Sequence, residues 1–180
     1  MHFIDEDISS PRYGASPVSH AKKKKLIAHL ITHVQAEMAT MRKAALDAAE
    51  GATHAEAKPE NDKDTRAIEA SYLAAGQAAR FRQLEVSLKV LTGLDLLELP
   101  KTAPITATAV VTLEDEEGEH SSFLLLPSFG GVVLELEGNK IQVVTPPSPL
   151  GTALLGRTRG EVIELKVKSG RRELTIVDVW

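Results

Sequence analysis

Ser148-Pro149-Leu150-Gly151-Thr152-Ala153-Leu154-Leu155-Gly156 decides how the second half of this chain is read. Ser148 is a natural N-cap, because its hydroxyl can accept from a backbone N–H that the first turn leaves orphaned. Pro149 suits the first helical position, where its missing N–H is not needed and its φ is already helical. Gly156 supplies a C-terminal stop. The segment therefore reads as one short, capped helix, and its neighbours on both sides have a period of two.

Downstream, Glu161–Val167 and Glu173–Val179 alternate in the manner of strands, separated by the turn signal Ser169-Gly170. Upstream, Ile105, Ala107, Ala109, Val111 and Leu113 alternate with Thr106, Thr108, Val110 and Thr112, so a strand is expected there. Further strands are expected at Ser121–Leu126, Val132–Leu136 and Lys140–Val144. The turns between them are predicted at Glu117-Gly118, Gly130-Gly131 and Gly138-Asn139. Residues 105–180 thus predict a sheet domain with a single short helix.

A linker with two prolines, residues 93–104, precedes that domain, and before it the period changes. Ile27, Ile31, Val34, Met38, Met41, Ala45 and Ala48 recur at alternating spacings of four and three, the seam of a heptad. No proline or glycine interrupts from Ala21 to Glu50. A second helix-forming stretch, Thr65–Leu91, places Phe81, Leu84, Leu88 and Leu91 on one stripe. The intervening GATHAEAKPENDKDT holds Pro59, which disfavours helix at Lys58, and the capping residues Asn61, Asp62, Asp64 and Thr65. Residues 21–92 therefore predict an antiparallel coiled-coil hairpin with its tip within 51–65. Large residues lie toward one end of the seam and alanines (Ala45, Ala48, Ala67, Ala70, Ala74) toward the tip, so the hairpin is expected to taper. Residues 1–20, rich in serine and proline and without periodicity, read as a disordered or loosely docked arm.

Bulk properties narrow the function classes. The net charge of −4 argues against broad non-specific nucleic-acid binding. The absence of cysteine excludes disulfides and thiolate metal sites, and suits a cytoplasmic protein. No membrane-spanning run or signal peptide is evident, so no membrane partner is expected.

The two halves in this order resemble the bacterial Gre-type transcript-cleavage factors, GreA and GreB. The likeness is carried by SPLGTALLG, the following Gly160-Glu161 pair and the final two strands. A second stretch, Glu69-Ala70-Ser71-Tyr72-Leu73-Ala74-Ala75, resembles the family's N-A-E-Y-x-A-A. The resemblance implies an α+β chain, an antiparallel α-helical coiled-coil hairpin followed by an FKBP-like antiparallel sheet domain. It also implies a monomeric partner of bacterial RNA polymerase. The hairpin would enter the polymerase's secondary channel and meet the nascent RNA 3′ end indirectly, while the globule docks at the rim through Ser148, Pro149 and Leu150. Tip carboxylates would share a Mg²⁺ ion with the polymerase active site, and the factor would have no catalytic residues of its own.

One departure bears on the chemistry. The family carries G-D-L-x-E-N before the tyrosine motif; anchored on Tyr72, its aspartate position falls on Thr65 and its glutamate position on Ile68. Asp62 and Asp64 are the nearest replacements as metal ligands, with Glu60 and Glu69 as secondary candidates. A homologue that occupies the channel without stimulating cleavage is the alternative. A prolyl isomerase would need an aromatic pocket, and residues 100–180 offer only Phe123, Phe129 and Trp180. A self-pairing coiled-coil scaffold is disfavoured by the turn formers at the tip. Lys22–Lys25, His29 and His33 read as solvated surface, and Tyr72 as core packing.

Overall fold

The structure, a computed structural model, describes residues 17–53, 65–96, 99–167 and 170–180. They form two compact units. One runs from Lys24 to Asp95; the other joins Leu96–Trp180 with the chain up to Lys23.

The first unit is a pair of long helices, α1 (Pro17–Thr53) and α2 (Thr65–Thr92). Helix α1 begins earlier than expected: Pro17 to His20 belong to it and not to an arm. Proline at the first position explains this start, since the first turn requires no N–H there. Leu26, Ile27, Leu30 and Val34 of α1 and Leu84 and Leu91 of α2 are buried. Ile31, Met38, Met41, Phe81 and Leu88 are half-buried. The stripe is thus wider than a heptad seam, because Leu26 and Leu30 join it. Arg80 Nη2 meets Glu37 Oε1 at 3.3 Å and ties the two helices across the seam. The alanine half does not behave as expected: Ala45, Ala48, Ala70 and Ala74 are exposed. A methyl group removes little surface from water, about 0.8 kcal/mol when fully buried. A run of alanines therefore gives the distal seam little to hold it shut.

The second unit is a six-stranded sheet with one helix. Its elements are β1 (Val110–Glu114), β2 (His120–Leu125), β3 (Val133–Leu136), β4 (Asn139–Val144), α3 (Pro149–Leu154), β5 (Val162–Val167) and β6 (Gly170–Val179). The spatial order is β3-β4-β2-β1-β6-β5. Four of the pairings are antiparallel, and β2 runs parallel to β4, with Ser122 opposite Ile141 and Leu125 opposite Val144. The sheet is therefore mixed, where a purely antiparallel one was expected. The cause is the β3–β4 hairpin, which inserts by its second strand and so places β4 beside β2 in the same direction.

That hairpin turns on Glu137-Gly138, one residue earlier than the sequence suggested, and both residues have positive φ (53° and 80°). Two left-handed residues give the tight turn whose twist suits a hairpin. Lys22, from the first turns of α1 that belong to this unit, meets Glu137 at 2.7 Å, and Lys23 is buried. Only Lys24 and Lys25 of the lysine run are solvated.

The strand expected from Ile105 begins only at Val110. Thr108 sits at φ 67°, donating its N–H to Leu125 O, while Ala109 N–H turns back to Thr106 O. A left-handed β-branched residue breaks the period of two. Ile105 instead clasps the end of α3: its N–H donates to Arg157 O at 2.7 Å and its carbonyl accepts from Gly156 N at 2.9 Å. The core lies between α3 and the sheet and includes Ile105, Val111, Leu113, Leu125, Leu154 and Ile176. Among the described residues no helix is long and apolar enough to cross a membrane.

Candidate docking site

The SPLG segment is held by its own backbone. Ser148 Oγ donates to Thr145 O at 2.6 Å and accepts from Gly151 N at 3.0 Å, which is the N-cap the sequence announced. Thr152 Oγ1 donates to Pro146 O at 3.1 Å, closing the turn from the other side. Gly151 is buried, and a side chain there would run into the Thr145 carbonyl. Leu154 points into the core with no exposed surface. The motif's serine, glycine and second leucine are thus accounted for by local structure.

Pro149 is left exposed, and Leu150 is half-buried against the core. Together with Ser148 they form one wall of a groove of about 530 Å³, whose other sides include Phe123, Val144, Leu165 and Lys166. The three residues singled out from sequence are therefore brought together. Phe123, Leu165 and Lys166 were not foreseen; they come from β2 and β5, and only the sheet order puts them beside α3. The groove is apolar on its walls, which suits an apolar side chain from a partner protein. A second concavity, about 750 Å³, holds Trp180 with Thr112, His120, Ser122 and Lys140. Phe123 and Trp180 thus line different hollows, and neither hollow is the aromatic pocket a prolyl isomerase would need.

Behind the groove, the Gly160-Glu161 pair carries the chain from α3 into β5. Glu161 Oε1 accepts from Thr158 N (2.8 Å) and Thr158 Oγ1 (2.9 Å), and Oε2 accepts from Arg157 Nη1 (3.0 Å). The Arg157 guanidinium, and then the two Thr158 donors, hold this carboxyl below its ordinary 4.5. A depressed carboxyl stabilises the fold above its ordinary value, and that contribution disappears as the pH falls through the folded value. Thermal midpoints of the wild type and Glu161→Gln, followed from neutral to pH 3, should therefore differ most at neutral pH and converge in acid. A difference that does not change with pH would show that the carboxylate plays no such part.

The tip residues fall differently. Glu60, Asp62 and Asp64 lie outside the described residues, so the structure neither gathers nor separates them. Glu69 is exposed on α2, as expected of a solvated tip residue. Tyr72 is not core packing: it is 76% exposed, with Ile68 and Leu73 exposed near it. His29 and His33 are exposed, and among the described residues no three His, Asp or Glu side chains converge as a metal site would require.

Comparison with known proteins follows the same division of the chain. Residues 101–180 match the family described as transcription elongation factor GreA/GreB, C-terminal. The transcription elongation factor GreA of Syntrophus aciditrophicus is 28% identical over 116 residues, covering 62% of this chain and 68% of that protein. GreA of Xylella fastidiosa is 33% identical over 101 residues, covering 56% of this chain and 60% of that protein. This chain thus aligns with roughly three-fifths to two-thirds of the length of these relatives. Among solved structures, GreA factor homolog 1 (Gfh1) of Thermus thermophilus aligns over 83% of this chain and 94% of its own, at 24% identity and a TM-score of 0.37. A score of that size adds nothing to the sequence match.

Proposed function

We propose that this chain, whose residues 101–180 match the family described as transcription elongation factor GreA/GreB, C-terminal, binds bacterial RNA polymerase and promotes Mg²⁺-dependent cleavage of backtracked RNA. The observation that supports this most is the SPLG wall itself. Once its capping and packing roles are subtracted, Pro149 and half of Leu150 remain, presented on an apolar groove. In this reading the globule docks at the rim of the secondary channel, the helix pair reaches in, and the nuclease is the polymerase's own. The factor has no catalytic residues and works as a monomer.

Asp62 and Asp64 would supply the carboxylates, with Glu60 and Glu69 as neighbours. Hard Mg²⁺ takes one or two such oxygens from a protein beside substrate phosphates, so two aspartates are a sufficient donor set. The ion, when bound, would supply a Lewis acid that activates water. On stalled, backtracked complexes, Asp62→Ala with Asp64→Ala is expected to lower stimulated cleavage by roughly 10- to 100-fold, the usual effect of disturbing the support of a metal site. Unstimulated cleavage with wild-type protein that nevertheless binds polymerase would reject the cleavage role.

A specific observation favours a second reading, a homologue that occupies the channel and regulates transcription without cleavage. Thr65 and Ile68 stand where the family's carboxylates are expected, and Ile68 is 52% exposed on α2, an apolar side chain in the place of an acid. Slowed initiation or elongation without RNA cleavage would establish that reading instead.

A further inference from the structure

We propose that the hollow around Trp180 is a binding site for an elongated organic cation, an alkyl stem ending in a primary ammonium or guanidinium group. It lies on the other face of the sheet from the docking groove. Val111, Leu113, Leu125 and Val179 pack into the core with Leu154 of α3. Strand alternation therefore turns Thr112, Ser122 and Asp178 to the opposite face. The ladders set these residues in one row across four strands: Ile141 opposite Ser122, Ser122 opposite Thr112, and Thr112 opposite Asp178. Three strand spacings make the row roughly 14 Å long. It grades from an apolar end to a carboxylate, with the two hydroxyls, 3.2 Å apart, between them. All four residues line a hollow of about 750 Å³, within the size range of small-molecule sites.

The charges in the hollow select the sign of the ligand. Lys22 meets Glu137 at 2.7 Å, and His120 lies 3.5 Å from Glu114. Lys140 borders the hollow, but alternation with Ile141 sends its side chain to the α3 face. Asp178 is half-buried, and among the described residues its carboxylate has neither a hydrogen-bond nor an ion-pair partner. Aspartate is depleted in strand interiors, so the ladder itself does not call for an acid there. Trp180 lies on the same face, because it exchanges both backbone hydrogen bonds with Val110, which shares the Thr112 side of β1. Indole is the ring whose face attracts a cation best. A carboxylate, two hydroxyls and an indole together accept N–H groups and positive charge. An anion would meet Asp178 with no cation to offset it, and an apolar ligand would strip water from that carboxylate without pairing it. Leu136 and Ile141, both buried, offer the stem its apolar contact.

The chain's single tryptophan makes the hollow its own reporter. The full chain is titrated with spermidine and, separately, with N-acetylargininamide, at constant ionic strength, while Trp180 fluorescence is followed. A saturable change is expected. Asp178→Asn should weaken it about tenfold, and Glu116→Gln, which removes the same charge from an exposed turn, should leave it unaltered. Tighter binding of spermidine would assign the site to a free polyamine, and tighter binding of N-acetylargininamide to a basic side chain of a partner protein. Amide chemical shifts of the wild type, which need no variant, should move at Thr112, Ser122 and Asp178 and stay fixed at Gly151 and Leu154. No saturable change with either cation, wild-type affinity in Asp178→Asn, or shifts that map elsewhere would overturn the site. An equal response to inorganic phosphate would mark an anion site and overturn it as well.

Discussion

Gly151→Ala is expected to destabilise the sheet module by about 3 kcal/mol, the upper range for forcing atoms into a filled site. The glycine is there for space. An added Cβ would overlap the Thr145 carbonyl oxygen and lie 2.8 Å from its carbon and 3.0 Å from Ser148 Oγ. Backbone atoms cannot swing aside as a flexible side chain would. The Thr145 carbonyl is moreover the acceptor for both Ser148 N (2.9 Å) and Ser148 Oγ (2.6 Å), so moving it undoes the cap of α3. For a module of this size the loss corresponds to a midpoint lowered by roughly 15 °C. Gly76 in α2 is the matching control, since a Cβ there meets nothing. A midpoint for Gly151→Ala within a degree or two of the wild type would show that the turn has room to relax.

The helix pair should be as sensitive, at a different place. Leu84→Ala is expected to remove about 3 kcal/mol, the middle of the range for a buried leucine replaced by alanine. Leu84 is 1% exposed, and among the described residues α2 contributes only it and Leu91 to the fully buried stripe. With the distal alanines exposed, no other part of the described seam can take over its role. Amide hydrogen exchange separates this effect from general unfolding: α1 and α2 should lose protection together while β1, β2 and β6 keep theirs. Equal loss in both units would mean that they unfold as one and that the two-unit description is wrong for stability.

Local signals in the sequence were read correctly. The cap at Ser148, the stop at Gly156, and the stripe through Ile27, Val34, Leu84 and Leu91 each depend on neighbours within a few residues. What could not be read depends on distance along the chain. Phe123, Leu165 and Lys166 reach the groove only because β4 inserts parallel to β2 and β5 lies on the far side of β6. Leu26 and Leu30 share a period with the seam, but a heptad template admits only one residue per step and so missed the wider face. Thr108 carries no sign of its left-handed turn, since threonine is ordinarily a strand former. Tyr72 was misplaced for a related reason: an aromatic residue beside small ones suggests packing, and alanine neighbours turned out to provide nothing to pack on.

The sheet order has a consequence for how this molecule is made. β6 follows the other five strands in the sequence, yet it lies between β1 and β5, and Val111 pairs with Val179 across 68 steps of chain. Until it arrives, β1 waits with one edge unpaired, and contacts of such long separation form slowly. The helix pair, finished earlier, can fold while the sheet is still open. The groove draws on β2, β4, β5 and α3 and depends on β6 to hold β5 in place, so the helix pair can be folded before the groove has taken shape.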